Sequence, residues 1–313
     1  MLRFTADLSP ATRSFVEDIL AAYPDHEGYL VKSFRDRSRS TSRLAEQTAG
    51  LIGRLHAGDH RRLVEGYLWI CRMVMEEELH FRREGSYRNS SFAEVNASVY
   101  QNKADMVLYM DGLLATEVLW SQHARCMDFY VNTFVPKLPT GFRHLEIGPG
   151  HGLLLYYTAI AAACGSLEAW DISPASLELT AECLARLGAP KAVELRAGNV
   201  FEEAVDRAAE FDSVTLSEVV EHLEDPLRAL RNIHGLLAAD GLLYVNVPVN
   251  APAVDHIFQL KSPSEAVALV EAAGFTVDET LCAPVAGYSL TRALKADASI
   301  SVAIVARRGP GRP

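Results

Sequence analysis

His144-Leu145-Glu146-Ile147-Gly148-Pro149-Gly150-His151-Gly152 runs directly into the apolar stretch Leu153 to Ile160. An acid flanked by apolar residues, three glycines at alternate positions and then a helical pattern describe a strand–loop–helix turn built to approach a ligand closely. Glycine adopts backbone geometries that other residues resist, and it removes the side chains that would block the approach. The spacing is G-x-G-x-G, which differs from the G-x-G-x-x-G of dinucleotide enzymes.

Outward from this loop the chain repeats strand and helix. Ser166 to Asp171 reads as a second strand ending in an acid. Asp171 lies about 20 residues past the loop, where Rossmann-like folds place a carboxylate on the ribose hydroxyls. Ser173-Pro174 opens a helix over Ala175 to Leu187 that stops at Gly188. Ala192 to Arg196 is a third strand running into Gly198-Asn199-Val200-Phe201. Phe211 to Ser217 is a fourth, leading into Glu218-Val219-Val220-Glu221-His222-Leu223-Glu224-Asp225-Pro226. A helix from Pro226 to Ala239 and a fifth strand over Leu242 to Val247 follow. Successive β-α units of this kind make a doubly wound, mostly parallel sheet.

The acid-led glycine loop, the order of these motifs and the string SEVVEHLEDP from Ser217 to Pro226 together resemble the class I S-adenosylmethionine-dependent methyltransferases, over about residues 140 to 281. The resemblance implies a seven-stranded sheet that binds S-adenosylmethionine and releases S-adenosylhomocysteine. It implies that Glu146, Gly148, Gly150 and Gly152 surround the methionine part of the cofactor and that Asp171 and Ile172 meet its ribose and nucleoside. Asn199, Val200 and Ser217 complete that set. Where the family often has an aspartate to meet the adenine amino group, this chain has Asn199, whose carbonyl oxygen can also accept from an amine.

Methyl transfer from a sulfonium is an in-line displacement, so alignment supplies much of the acceleration, and a base near the methyl can take the acceptor's proton. Strand four offers Glu218, Glu221 and His222, with Glu218 and His222 on one face if the turn is helical. The loop after strand five offers Asn250 for the acceptor and His256 as a second base, with the adjacent Asp255 as its expected orienter. Glu218, Glu221, His222 and His256 also form a candidate divalent-metal set, since similar residues bind a metal in certain relatives that act on hydroxyls. His151 is a candidate contact to the cofactor carboxylate.

Residues 1–139 read as an all-helical domain for substrate binding or lid closure, and 140–313 as the catalytic domain. Helices are expected over Pro10 to Ala22, Leu44 to Leu55, Arg61 to Arg83, Phe92 to Met110 and Leu113 to Phe134, the last two separated by Asp111-Gly112. Tyr100, Tyr109, Trp120 and His123 belong to an aromatic belt suited to a flat or polar organic acceptor. The Glu76-Glu77-Glu78 run reads as a solvated face, and the basic cluster Lys32, Arg35, Arg37, Arg39 and Arg43 as a solvated loop. Pro136 to Gly141 reads as a linker and the tail Arg307 to Pro313 as disordered.

Formal net charge is −10, and it is concentrated after residue 141, where 13 basic residues face 22 acidic ones against 17 and 18 before it. An acidic catalytic half argues against a nucleic-acid substrate, because phosphate binding needs a basic face. Five scattered cysteines without zinc spacing read as reduced core thiols of a cytoplasmic protein. Arg3, Asp7, Arg13 and Glu17 interrupt the first twenty residues, which speaks against a secretory leader, and no membrane span is expected. The expected activity is methyl transfer to an oxygen of a small metabolite. A peptide acceptor, a non-catalytic cofactor-binding scaffold and a homodimer through the helical part are the alternatives kept open. Absence of a downstream Tyr-x-x-x-Lys speaks against a nicotinamide oxidoreductase.

Overall fold

The computed structural model describes residues 3–5, 7–95, 103–203 and 207–309. It divides into two compact units. One comprises Met1–Asp128, Ala251–His256 and Ala283–Ser299; the other comprises Phe129–Asn250, Ile257–Cys282 and Ile300–Pro313. The division expected from sequence, at 139/140, falls inside the second unit.

The first unit is helical. Its elements are α1 (Pro10–Ala22), α2 (Glu27–Arg35), α3 (Arg39–Leu55), α4 (Arg61–Glu84), the single turn α5 (Phe92–Val95), α6 (Lys103–Leu119) and α7 (Ser121–Phe129), whose last residue begins the second unit. Ser9 and Ser38 cap α1 and α3, each side chain accepting a first-turn N–H. The long helix α4 packs along α6 at a point where a Cβ on Gly66 would lie 2.7 Å from the Gly112 nitrogen.

That contact corrects the expected break at Asp111-Gly112. The helix α6 runs through both residues, because Gly112 supplies close approach and Asp111 is held by Arg62 Nε at 2.9 Å. Two other expectations change. The basic stretch 32–43 is mostly helical, and Arg37 lies over the Phe34 ring and donates to the Ser33 and Val118 carbonyls. Glu77 is buried against Arg88 at 2.9 Å, so the three-glutamate run is solvated only in part.

The second unit holds β1 (Phe142–Ile147), α8 (Leu153–Ala159), β2 (Cys164–Asp171), α9 (Pro174–Leu187), β3 (Val193–Ala197), β4 (Phe211–Ser217), α10 (Pro226–Leu236), β5 (Leu237–Val249), α11 (Pro263–Ala272), most of β6 (Phe275–Pro284) and β7 (Ile300–Arg308). A short helix, α12 (Leu290–Lys295), belongs to the helical unit. The seven strands are ordered β3-β2-β1-β4-β5-β7-β6. Neighbours from β3 to β5 are parallel, and β7 runs antiparallel to β5. Every residue of β5 from Gly241 to Val249 is buried, as a central strand covered on both faces requires.

The strand order reverses at β1, whose two neighbours are β2 and β4, so the carboxyl ends of β1 and β4 form the topological switch point, where open α/β sheets bind ligands. Arg307 and Arg308, expected in a disordered tail, are the last residues of β7; residues 310–313 lie outside those described.

Candidate active site

The acid Glu146 sits near the carboxyl end of β1, 2 % exposed. Burial pushes its carboxyl up to about 8, and its Oε2 is buried without a hydrogen-bond partner. Two residues on, Gly148 has φ +69°, with Gly150 at +52° and Gly152 at +78°. A Cβ on Gly148 would lie 2.6 Å from Val219 Cγ2, so only glycine fits both the dihedral and the space. The loop is braced from the side: Gly148 N–H donates to the Trp170 carbonyl at 2.8 Å, and Thr180 Oγ1 of α9 donates to the Gly150 carbonyl at 2.9 Å. His151 closes the loop locally, its Nδ1 accepting from Leu153 N–H at 3.2 Å.

Asp171 ends β2. Its Oδ1 accepts from Ser173 N–H at 2.8 Å and its Oδ2 from the Ser176 hydroxyl at 2.5 Å, which fixes the carboxylate. Burial raises its pKa. Beside it Ile172 is 55 % exposed, unusual for a large apolar residue following a buried strand and suited to covering a purine or ribose face. Asn199 Oδ1 accepts from Phe201 N–H at 3.0 Å, a turn contact that uses one of the two lone pairs expected for an adenine amine. Val200 is buried, and Asn232 Nδ2 holds its carbonyl at 3.0 Å.

At the end of β4 the expected one-face helical spacing of Glu218 and His222 is replaced. Glu218 takes φ +52°, and only Val220–His222 forms a 3-10 turn. The residue that organises this turn was missed in the sequence: Asn246 of β5 donates through Nδ2 to Glu218 Oε1 at 2.8 Å and to Ser217 Oγ at 3.4 Å, and its carbonyl accepts Glu218 N–H at 2.8 Å. The Asn246 Oδ1 atom is itself buried without a partner. A single amide inside the otherwise apolar run Leu242–Val249 was the signal available. Glu221 is 2 % exposed; its carbonyl accepts N–H groups from Ile257 and Phe258 at 2.9 Å each, and its Oε1 lies 3.9 Å from His222 Nε2. Asn250, expected at the acceptor, is buried with φ +47° and is tied to its own loop by Gln259, Leu260 and Lys261.

His256, the other candidate base, belongs to the helical unit. Its expected orienter, Asp255, instead accepts from the Tyr109 hydroxyl at 3.0 Å. The orienter is the Ala251 carbonyl, 2.7 Å from His256 Nδ1. The other aromatic candidates are engaged within the same unit: Trp120 Nε1 donates to Tyr67 Oη at 3.0 Å, and His123 Nδ1 pairs with Thr116 Oγ1 at 2.9 Å. Tyr100 lies outside the described residues.

A left-handed glycine loop after β1 and a carboxylate after β2, on a sheet ordered 3-2-1-4-5-7-6 with an antiparallel last strand, are the arrangement of class I methyltransferases. Residues 119–296 match the family model described as a methyltransferase domain, and the chain belongs to that family.

Among its relatives, a ubiquinone biosynthesis O-methyltransferase of Xanthomonas axonopodis pv. citri is 31% identical over 115 residues, 37% of this chain and 46% of that protein. The homologue from Xanthomonas campestris pv. campestris (strain B100) is 32% identical over 113 residues. The chain thus spans about half the length of the curated relatives it matches. Among solved structures, the 1,6-didemethyltoxoflavin-N1-methyltransferase of Burkholderia thailandensis, with S-adenosylhomocysteine bound, is 20% identical, with a TM-score of 0.45, covering 59% of this chain and 79% of that one. The [4+2]-cyclase SpnF is 19% identical, with a TM-score of 0.49, covering 61% and 83%.

The residues present fit S-adenosylmethionine as the cofactor. The orphaned Glu146 oxygen calls for a donor or cation, the loop beside it takes three left-handed glycines, and the Asp171 carboxylate ends β2 as an acceptor for a diol. Among the described residues no helix is long and apolar enough to cross a membrane.

Proposed function

We propose that this protein transfers the methyl group of S-adenosylmethionine to an oxygen of a small organic metabolite. The observation that carries the reading is Glu146, buried with an unpartnered oxygen beside the left-handed Gly148–Gly152 loop. Such a group is costly to bury unless a ligand completes it. The bound cofactor supplies a methyl electrophile that is already activated. The chain's own tasks are then to hold cofactor and acceptor in line, to exclude water and to take the acceptor's proton. An oxygen acceptor is favoured by the relatives named as O-methyltransferases and by the acid-rich turn after β4, whose Glu218, Glu221 and His222 correspond to the string read from the sequence.

Bound there, S-adenosylmethionine would supply its methyl carbon to the acceptor oxygen, and the carbon–sulfur electron pair would leave with the sulfur of S-adenosylhomocysteine. The acceptor's proton passes to a base, His222 or His256. The unprotonated nitrogen of a neutral imidazole offers the lone pair for this. Glu221 and His222 also bring a carboxylate oxygen and an imidazole nitrogen within 3.9 Å. A divalent cation on such a set would lower the pKa of an acceptor hydroxyl.

The test is a panel of catechols, hydroxybenzoates, aliphatic acids and amines incubated with the protein and S-adenosylmethionine, reading S-adenosylhomocysteine formation and the site of the new methyl by NMR. O-methyl products are expected. The His222→Ala or the His256→Ala variant, whichever removes the base, should lose on the order of 10²–10⁴ in turnover while S-adenosylhomocysteine affinity is kept. Exclusive N- or C-methylation would reject the oxygen assignment, and a chelator arm reports on the metal.

A further inference from the structure

The loop that follows β5 is gripped at several points inside the helical unit. Ala251 N–H donates to Tyr87 Oη at 3.2 Å, Asn89 Nδ2 donates to the Val254 carbonyl at 2.7 Å, and Tyr109 Oη donates to Asp255 Oδ1 at 3.0 Å. Between these contacts Ala253 is buried in a cluster with Ile70, Met73 and Tyr109. These partners come from α4, α6 and the segment that follows α4, which lie more than a hundred residues earlier in the chain. Tyr109 therefore addresses the loop's own polar groups, although its type alone suggested recognition of a flat acceptor.

The loop ends on His256, 7 % exposed, whose Nδ1 lies 2.7 Å from the Ala251 carbonyl and whose ring lies 5.9 Å from that of Tyr87. A carbonyl oxygen can only accept, so Nδ1 must carry the hydrogen. In a neutral imidazole the lone pair then resides on Nε2. The Ala251 N–H held by Tyr87 and the Ala251 carbonyl that selects the tautomer flank a single Cα. Displacing the first therefore displaces the second.

We propose that Tyr87, Asn89 and Tyr109 are positioning residues: by clamping Ala251–His256 they make the Ala251 carbonyl hold His256 as its Nδ1–H tautomer, with Nε2 as the basic nitrogen. The functional consequence rests on the reading of His256 as a base; the clamp and the tautomer do not.

The test uses the full chain labelled with ¹⁵N at its 10 histidines, with two-bond ¹H–¹⁵N correlation at a pH about two units above the ordinary imidazole pKa. His256→Gln identifies the signals. Wild type should show a pyrrole-type nitrogen at Nδ1 and a pyridine-type nitrogen at Nε2. In Tyr87→Phe/Asn89→Ala, and to a lesser degree in Tyr109→Phe, that pattern should collapse toward an average of the two tautomers. Tyr67→Phe, which removes a buried hydroxyl bonded to His26 and Trp120 in the same unit, should leave it intact. An Nε2–H tautomer in wild type, or an unchanged pattern in folded clamp variants, overturns the proposal. Full methyl transfer by His256→Ala, with the tautomer result standing, would instead remove His256 as the base and leave the clamp in place.

Discussion

Asn246 holds Glu218 at two points: its side-chain amide donates to Glu218 Oε1 at 2.8 Å and its carbonyl accepts the Glu218 N–H at the same distance. This pair keeps a non-glycine residue at φ +52°, a region that costs roughly 1–2 kcal/mol for side chains bearing a Cβ. Two results follow. Asn246→Ala should destabilise the sheet unit by about 1–3 kcal/mol, the range for stripping the partner of a buried polar group. Glu218→Gly should be more stable than Glu218→Ala by about 1 kcal/mol, because glycine relieves the dihedral that alanine retains. Denaturant titrations measure both. An alanine variant as stable as the glycine variant would mean the turn relaxes and stores no strain.

Gly148 is constrained twice, by φ +69° and by Val219 Cγ2 at 2.6 Å from where its Cβ would stand. Gly148→Ala should therefore weaken S-adenosylhomocysteine binding sharply. Adding Val219→Ala should recover part of the loss, since it removes the collision but not the dihedral. Calorimetry on wild type, Gly148→Ala and the double variant separates the two terms. Complete recovery in the double variant would show that the backbone conformation carries no cost there.

Much of this site is legible in the chain because its parts are local. The acid and the three glycines lie within one β-α-β unit, the Ser173 cap follows its second strand directly, and each signals its geometry by residue type alone. The helix break expected at Asp111-Gly112 misled for the opposite reason. Gly112 serves a crossing with Gly66, and Asp111 serves an ion pair with Arg62, and neither partner is near in sequence. The same holds for Asp255. Adjacency to His256 suggested an orienter, whereas a strand-exit loop turns successive side chains to different partners, here Tyr109 and the Ala251 carbonyl. Asn246 could have been singled out as a polar residue in an apolar strand, but its target, Glu218, required the register of β4 on β5.

The crossing of α4 and α6 makes its own prediction. A Cβ on Gly66 would lie 2.6 Å from the Leu108 carbonyl oxygen, and one on Gly112 would lie 2.5 Å from the Gly66 carbonyl oxygen. These neighbours are backbone atoms that cannot rotate away. Elsewhere in a helix, glycine to alanine stabilises through lower unfolded-state entropy. At these two positions the sign should reverse, with overpacking costing about 1–3 kcal/mol. Gly50→Ala in α3, where a Cβ meets nothing within 4 Å, is the control and should be stabilising. Thermal melts of the three variants decide it; stabilisation by Gly66→Ala would refute the close crossing.

Glu146 gives cofactor affinity a pH dependence with a definite sign. Burial lifts its pKa from 4.5 to about 8, so the folded chain retains this proton through neutrality. A group raised in this way contributes stability that is full below 4.5 and is lost as pH rises toward about 8. A cation placed beside the carboxyl favours its ionised form, so binding a positively charged ligand there releases a proton across that same window. Affinity for S-adenosylmethionine should therefore climb between about pH 6 and pH 8, by up to roughly tenfold per unit, and level off above. Calorimetry in buffers of different ionisation enthalpy counts the released proton directly. Glu146→Gln has no proton to release, so its affinity should be flat over the window and its stability should no longer decline as pH rises. An affinity in wild type that falls with pH, or a slope that survives in Glu146→Gln, would place the cofactor's charge away from this carboxyl.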